Sequence, residues 1–201
     1  AIRSDCKGVG EMSRNVQVVL LCEDRQHEAF ARRFLKKSGN DFRVQRVEMN
    51  PKGCGSGEQF VRERFSKELD YYRSRKHRVE QALIVLIDAD GKSVAARIQQ
   101  VEDASAECGR QPRRSDERVA IFVAARNIET WIAYLDGQTV DESTTYPRLQ
   151  YQRDCQRHVD YLYEMCQQGG LRQPTPQSLV AACVEYSSRL LNPSRRTGGP
   201  T

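Results

Sequence analysis

Carboxylates stand just beyond three apolar runs of this 201-residue chain. Glu23 and Asp24 follow residues 16–22, Asp88 and Asp90 follow residues 82–87, and Glu129 comes shortly after residues 119–124. If those runs are strands of one parallel sheet, the acids meet at its carboxyl rim, where such sheets gather ligands. Four or five carboxylates on one rim repel each other and lose hydration unless a cation neutralises them. A donor set made only of oxygen suits Mg2+ or Mn2+. In Asp88-Ala89-Asp90 a two-residue step along an extended chain would place both acids on one side. Taken singly, each acid also has a plainer use, because Asp starts turns and caps helices.

The elements that must position these residues follow from the hydrophobic pattern. Residues 16–22 (VQVVLLC) form a nearly continuous apolar run, rich in β-branched residues, as expected of a strand buried on both faces. Phe30, Phe34 and Leu35 recur at helical spacing, which predicts a helix over 27–37 that Ser38-Gly39-Asn40 ends. Residues 42–49 alternate apolar and polar, as a strand nearer a sheet edge does. After the glycine-rich turn 51–57, Phe60, Val61, Phe65, Leu69 and Tyr72 mark an amphipathic helix over 58–78. Residues 82–87 are the most apolar stretch and are assigned to the central strand. A helix over 92–104, a basic loop over 105–118, a strand over 119–124 and a further helix beginning near Arg126 complete the series.

Strand and helix alternate four times, which predicts an α/β fold. The expected architecture is an open, mostly parallel four-stranded sheet with helices on both faces. Past Gly137 no strand-like run occurs, and 154–167 and 177–191 read as helices. The expected organisation is a flexible leader over 1–15, an α/β domain over 16–137, a helical extension over 138–191 and a disordered tail over 192–201.

Lys and Arg number 32 against 27 Asp and Glu, a net charge of +5, and 25 of the 32 are Arg. Guanidinium groups bind phosphates in a bidentate way that ammonium groups do not match, although a GC-rich genome produces the same skew. Arg110, Arg113 and Arg114 in the basic loop are candidate contacts to nucleic-acid phosphates. The seven cysteines include no C-x-x-C pair and read as small core thiols. No apolar run approaches the length of a membrane span, and the polar start lacks the apolar segment of a signal peptide. A soluble, cytoplasmic protein with no membrane partner is the expectation.

Two segments, 19–30 (VLLCEDRQHEAF) and 84–91 (IVLIDADG), resemble the TOPRIM fold of topoisomerases, primases and OLD-type nucleases. That family places a Glu after its first strand and an Asp-x-Asp after its third. Arg126-Asn127-Ile128-Glu129-Thr130-Trp131 is similar to the Arg-x-x-Glu-x-Trp region of small TOPRIM-like proteins from prokaryotic defence loci. The resemblance covers roughly residues 16–135 and implies Asp88 and Asp90 as metal ligands. It also implies Glu23 as a ligand or general acid/base, with Glu129 completing the shell. Lys92 and Arg126, near in sequence, would stabilise charge on the transferring phosphoryl group. The chain departs from the pattern where Asp24 replaces the usual Gly. It departs again where His27, with Glu28 beside it, replaces the second acid of OLD-type members. Either of the two, or neither, could reach a metal, and imidazole suits Mn2+ better than Mg2+.

The resemblance therefore implies a nuclease that cleaves phosphodiester bonds in DNA or RNA with Mg2+ or Mn2+, in anti-phage defence. Any partner ATPase would act in trans, since Gly53–Gly57 lacks the Lys-Ser/Thr of a Walker A loop and Gly91-Lys92-Ser93 lacks its upstream glycine. The alternative is a non-catalytic TOPRIM-like subunit that binds an ATPase or another partner protein. In either case the helical extension could dock that partner or make a homo-oligomer.

Overall fold

Four β-strands and six α-helices alternate through the computed structural model, which describes residues 15–39, 41–51, 53–168 and 170–191. The expected tail, and the expected leader except residue 15, lie outside the described residues. The strands are β1 (Val16–Cys22), β2 (Phe42–Met49), β3 (Gln81–Asp88) and β4 (Val119–Ala124). The helices between them are α1 (Arg25–Lys37), α2 (Gly57–Arg75) and α3 (Val94–Glu107). After β4 come α4 (Ile128–Leu135), α5 (Gln156–Gln167) and α6 (Gln177–Glu185), the last continued by a π-helical turn over Tyr186–Leu191.

All strand pairs are parallel, in the order β2-β1-β3-β4. This is the α/β sheet with helices on both faces that the sequence predicts. Period-two alternation sends β1 and β3 residues to opposite cores. Val16, Val18, Leu20, Ile84 and Leu86 pack with α1, α4, α5 and α6. Val19, Leu21, Leu83, Val85 and Ile87 pack with α2 and α3. The helices after residue 138 thus share a core with α1. Among the described residues no helix is long and apolar enough to cross a membrane.

Two local devices preserve this arrangement. The apolar residues of β2 slip in phase, with Phe42 and Val44 on one parity and Val47 and Met49 on the other. A register shift, where Val18 pairs with Val44 but Val19 with Arg46, leaves Gln45 as the extra residue of a bulge. All four apolar side chains therefore reach the same core. Side chains also close the outer edge of β4. Glu185 Oε1 accepts the Ile121 N–H at 2.9 Å, and Arg113 Nη1 donates to the Val119 carbonyl at 3.1 Å. Such an edge would otherwise offer unpaired backbone to another chain.

β1 connects to β2 on one side of the sheet, while α2 and α3 lead to strands on the other side. Neighbouring strands β1 and β3 therefore flank the topological switch point, and their carboxyl ends form its crevice.

Candidate functional site

Glu23 is the first residue past β1, and Asp88 is the last residue of β3. Because these strands pair directly, Glu23 Oε1 accepts the Asp88 backbone N–H at 2.5 Å. Burial, and then the Asp88 carboxylate, push the Glu23 carboxyl up to about 7; the positive His27 and the Asp88 N–H only partly offset them. Gly57 packs directly against Glu23, where a Cβ would stand 3.0 Å from both Cβ and the carbonyl oxygen of Glu23. The glycine-rich turn thus lets α2 begin directly against the acid.

Asp24 caps α1, accepting the N–H groups of Gln26 at 2.9 Å and His27 at 3.1 Å. This cap sets His27 in the first turn, with its side chain only 2% exposed. Its Nδ1 lies 2.9 Å from Asp24 Oδ1 and its Nε2 3.0 Å from Asp88 Oδ1. With a carboxylate on each nitrogen, the ring is an imidazolium. Burial opposes the charge, but the Asp88 charge and both hydrogen bonds outweigh it and hold the group well above its ordinary value. Asp24 is held well below its own value for the reciprocal reason, its hydrogen bond to His27 overcoming burial. Both His27 nitrogens face carboxylates in this structure, and the ring serves there as an internal counter-cation. Glu28 faces elsewhere and pairs with Arg32 at 2.8 Å.

Asp90 departs from the expected geometry. The extended chain ends at Asp88, Ala89 is buried, and Asp90 adopts a left-handed φ of 51°. Its side chain turns outward, 59% exposed, with Oδ2 3.5 Å from Arg97 Nη2. It still feels the rim, since burial and then the Asp88 charge raise its carboxyl. Arg97 is buried and also donates to the Ala89 carbonyl at 3.0 Å and to Glu58, tying this turn to the start of α2.

Glu129, in the first turn of α4, is 1% exposed, and its Oε1 has no hydrogen-bond partner. Burial raises its carboxyl, Arg148 opposes that, and the Asp88 and Asp24 charges add to it. Arg148 is 74% exposed and reaches across the rim, 3.6 Å from Glu129 Oε1 and 3.5 Å from Asp24 Oδ2. Arg126 lies over the Asp90 turn, its Nη1 3.1 Å from where a Cβ on Gly91 would stand, and its Nε donates to Thr145 Oγ1 at 3.3 Å. Lys92 is exposed in the same turn, ahead of the Ser93 cap of α3 rather than inside that helix.

The basic loop stands at the other end of the sheet. It precedes β4, and the Arg118 carbonyl accepts the N–H of Leu83 near the amino end of β3. Arg113 is 6% exposed and bonds Glu102 at 2.7 Å as well as Glu185, so its guanidinium holds the β4 edge and is not free for phosphate. Arg110 pairs with Asp70 at 2.6 Å and Arg114 with Asp116 at 3.2 Å, both half exposed. Any phosphate contact they make is remote from the acidic rim.

The rim offers hard oxygen donors, among them Glu129 Oε1, which accepts no hydrogen bond and has only the ion pair to Arg148, and the mutually repelling Glu23 and Asp88. Among the described residues no three His, Cys, Asp or Glu side chains gather closely enough to ligate an ion together. Mg2+ commonly keeps several waters and takes one or two carboxylates plus substrate phosphate. Glu23 and Asp88 therefore fit such an ion in kind and number.

Sequence reasoning did not find Arg148 or the Asp24–His27–Asp88 chain. The three-residue step from a capping Asp to His27 was the only available signal for the second, and a lone loop arginine carries none. Compared with protein-family models, curated proteins and solved structures, the chain matches none of them.

Proposed function

We propose that the protein is a divalent-cation-dependent nuclease that hydrolyses phosphodiester bonds in DNA or RNA at the β1/β3 crevice. The observation that carries this reading is the Glu23–Asp88 pair. Two acids 65 positions apart share one partly buried site, and the Glu23 carboxyl is raised to about 7. An ionisable group poised near neutral pH within a crevice is suited to proton transfer. Glu23 and Asp88 would hold Mg2+ or Mn2+, with Asp90 and Glu129 on either side. Bound there, the cation would supply charge neutralisation and Lewis acidity. His27 fixes the orientation of the Asp88 carboxylate. Arg126 and the exposed Lys92 present positive charge to a phosphate arriving over the Asp90 turn. A role in anti-phage defence, with an ATPase acting in trans, follows from the TOPRIM resemblance alone.

A second reading has its own observation. The imidazolium of His27 and the guanidinium of Arg148 already offset the charge of Asp24 and Asp88 without any metal, as in a non-catalytic subunit that uses the fold for assembly with a partner protein. The two readings separate when labelled DNA and RNA are incubated with the protein plus Mg2+ or Mn2+, beside Asp88→Ala and Glu23→Ala. Cleavage by wild type that both substitutions abolish supports the nuclease. No cleavage, or equal cleavage by all three proteins, supports the assembly subunit.

A further inference from the structure

Away from the rim, α1, α5 and α6 enclose an apolar cavity of about 280 Å3, floored by Ile84 and Leu86 of β3 and flanked by Trp131. Two cysteines line it together, Cys166 in the last turn of α5 and Cys183 in α6, near enough for each thiol to shift the ionisation of the other. Cys166 is exposed and Cys183 partly so. The seventeen-position separation hides the pair in the sequence; only the packing of α5 and α6 against one core brings the sulfurs together.

We propose that Cys166 and Cys183 form a redox site, a dithiol that a peroxide converts to an intramolecular disulfide bridging α5 and α6. The exposed Cys166 is the attacking group. The neighbouring Cys183 thiol lowers the Cys166 thiol to about 7, while Cys183 is itself raised by Cys166 and by burial. The thiolate is the nucleophile. It attacks one peroxide oxygen, the O–O bond breaks, and the departing oxygen leaves as water after taking up a proton, giving a sulfenic acid. Cys183 then attacks that sulfur, the S–O bond breaks, and a second water leaves with the Cys183 proton. Two thiols are oxidised by two electrons, and one peroxide is reduced to two waters. Other exposed thiols such as Cys54 and Cys108 lack such a partner among the described residues and end at sulfenic acid or beyond.

The test treats the full reduced chain with equimolar hydrogen peroxide, blocks the remaining thiols and maps tryptic peptides without reduction. Trypsin cuts after Arg172, between the two cysteines, so a bridge joins two peptides that otherwise separate. The expected result is that linked pair as the main oxidised product, with a melting temperature roughly 8 °C above the reduced protein for a loop of this size. In Cys183→Ser the expected product is a sulfenic acid on Cys166, trapped by dimedone. Recovery of the two peptides unlinked while other thiols have reacted would overturn the proposal. So would a linked form that melts no higher than the reduced chain, because the native packing would then not accommodate the bridge.

Discussion

Replacing Glu23 by Gln should change how stability depends on pH. In the folded chain the Glu23 carboxyl ionises at about 7, against an ordinary value of 4.5. At about 1.4 kcal/mol per tenfold change in ionisation, that difference corresponds to about 3 kcal/mol. Between those two values the folded state keeps a proton that the unfolded chain has released. Stability from this group therefore falls as pH rises through the window and levels off above it. Gln cannot ionise, so the stability of Glu23→Gln minus that of wild type should grow by about 3 kcal/mol from roughly pH 4 to pH 8. Urea denaturation of both proteins across that range measures the difference directly, with unchanged slopes showing that the unfolding reaction is the same. Because any ion that binds only the folded state stabilises it, Mn2+ at the upper end should narrow the gap. A difference independent of pH would refute the claim that Asp88 and burial force Glu23 to keep its proton.

Three further outcomes follow from the rim and the β4 edge. His27→Gln strips Asp24 and Asp88 of their counter-cation and should lower stability at neutral pH by roughly 3–5 kcal/mol in urea denaturation. Since the His27 group is raised, its contribution is complete below its unfolded value and lost as pH rises through the folded one, so wild type should weaken at alkaline pH by a term the variant lacks. Arg113→Ala takes the buried guanidinium from between Glu102 and Glu185 at the β4 edge, leaving Glu185 the Ile121 N–H and the more distant Arg189. It should cost roughly 3 kcal/mol or more in thermal or urea unfolding while leaving nucleic-acid affinity, read by filter binding, no weaker than does Arg110→Ala. Arg148→Ala removes a tethered positive charge from Asp24 and Glu129 and should tighten Mn2+ binding by roughly two- to fivefold in calorimetry.

Much of the sheet was legible because buried parallel strands advertise themselves. Gln81–Asp88 is buried at every position, and its apolar run leaves little else for the chain to do. The convergence of Glu23 with Asp88 followed from strand ends alone, once β1 and β3 were neighbours. Side-chain partners were not legible, because they depend on distances no linear pattern encodes. The residues around His27 left its role open, and only the fold shows a capping Asp and a strand-end Asp on its two nitrogens. Arg113 looked like a phosphate contact, since a basic loop shows its charges but not the Glu102 and Glu185 that consume them. The Asp88–Asp90 step misled because the strand ends at the first acid and the chain turns left-handed at the second. The phase slip in β2 was present in the residues, but only the bulge at Gln45 shows that both halves face one core.

Isothermal calorimetry of the full chain with Mn2+ near pH 8 addresses the rim's demand for a cation most directly. Saturable binding at or below millimolar concentration, lost in both Asp88→Ala and Glu23→Gln while circular dichroism shows both variants folded, is the predicted result. Wild type that takes up no ion, or binding that survives both substitutions, would contradict it and leave the rim's charge to His27 and the arginines around it.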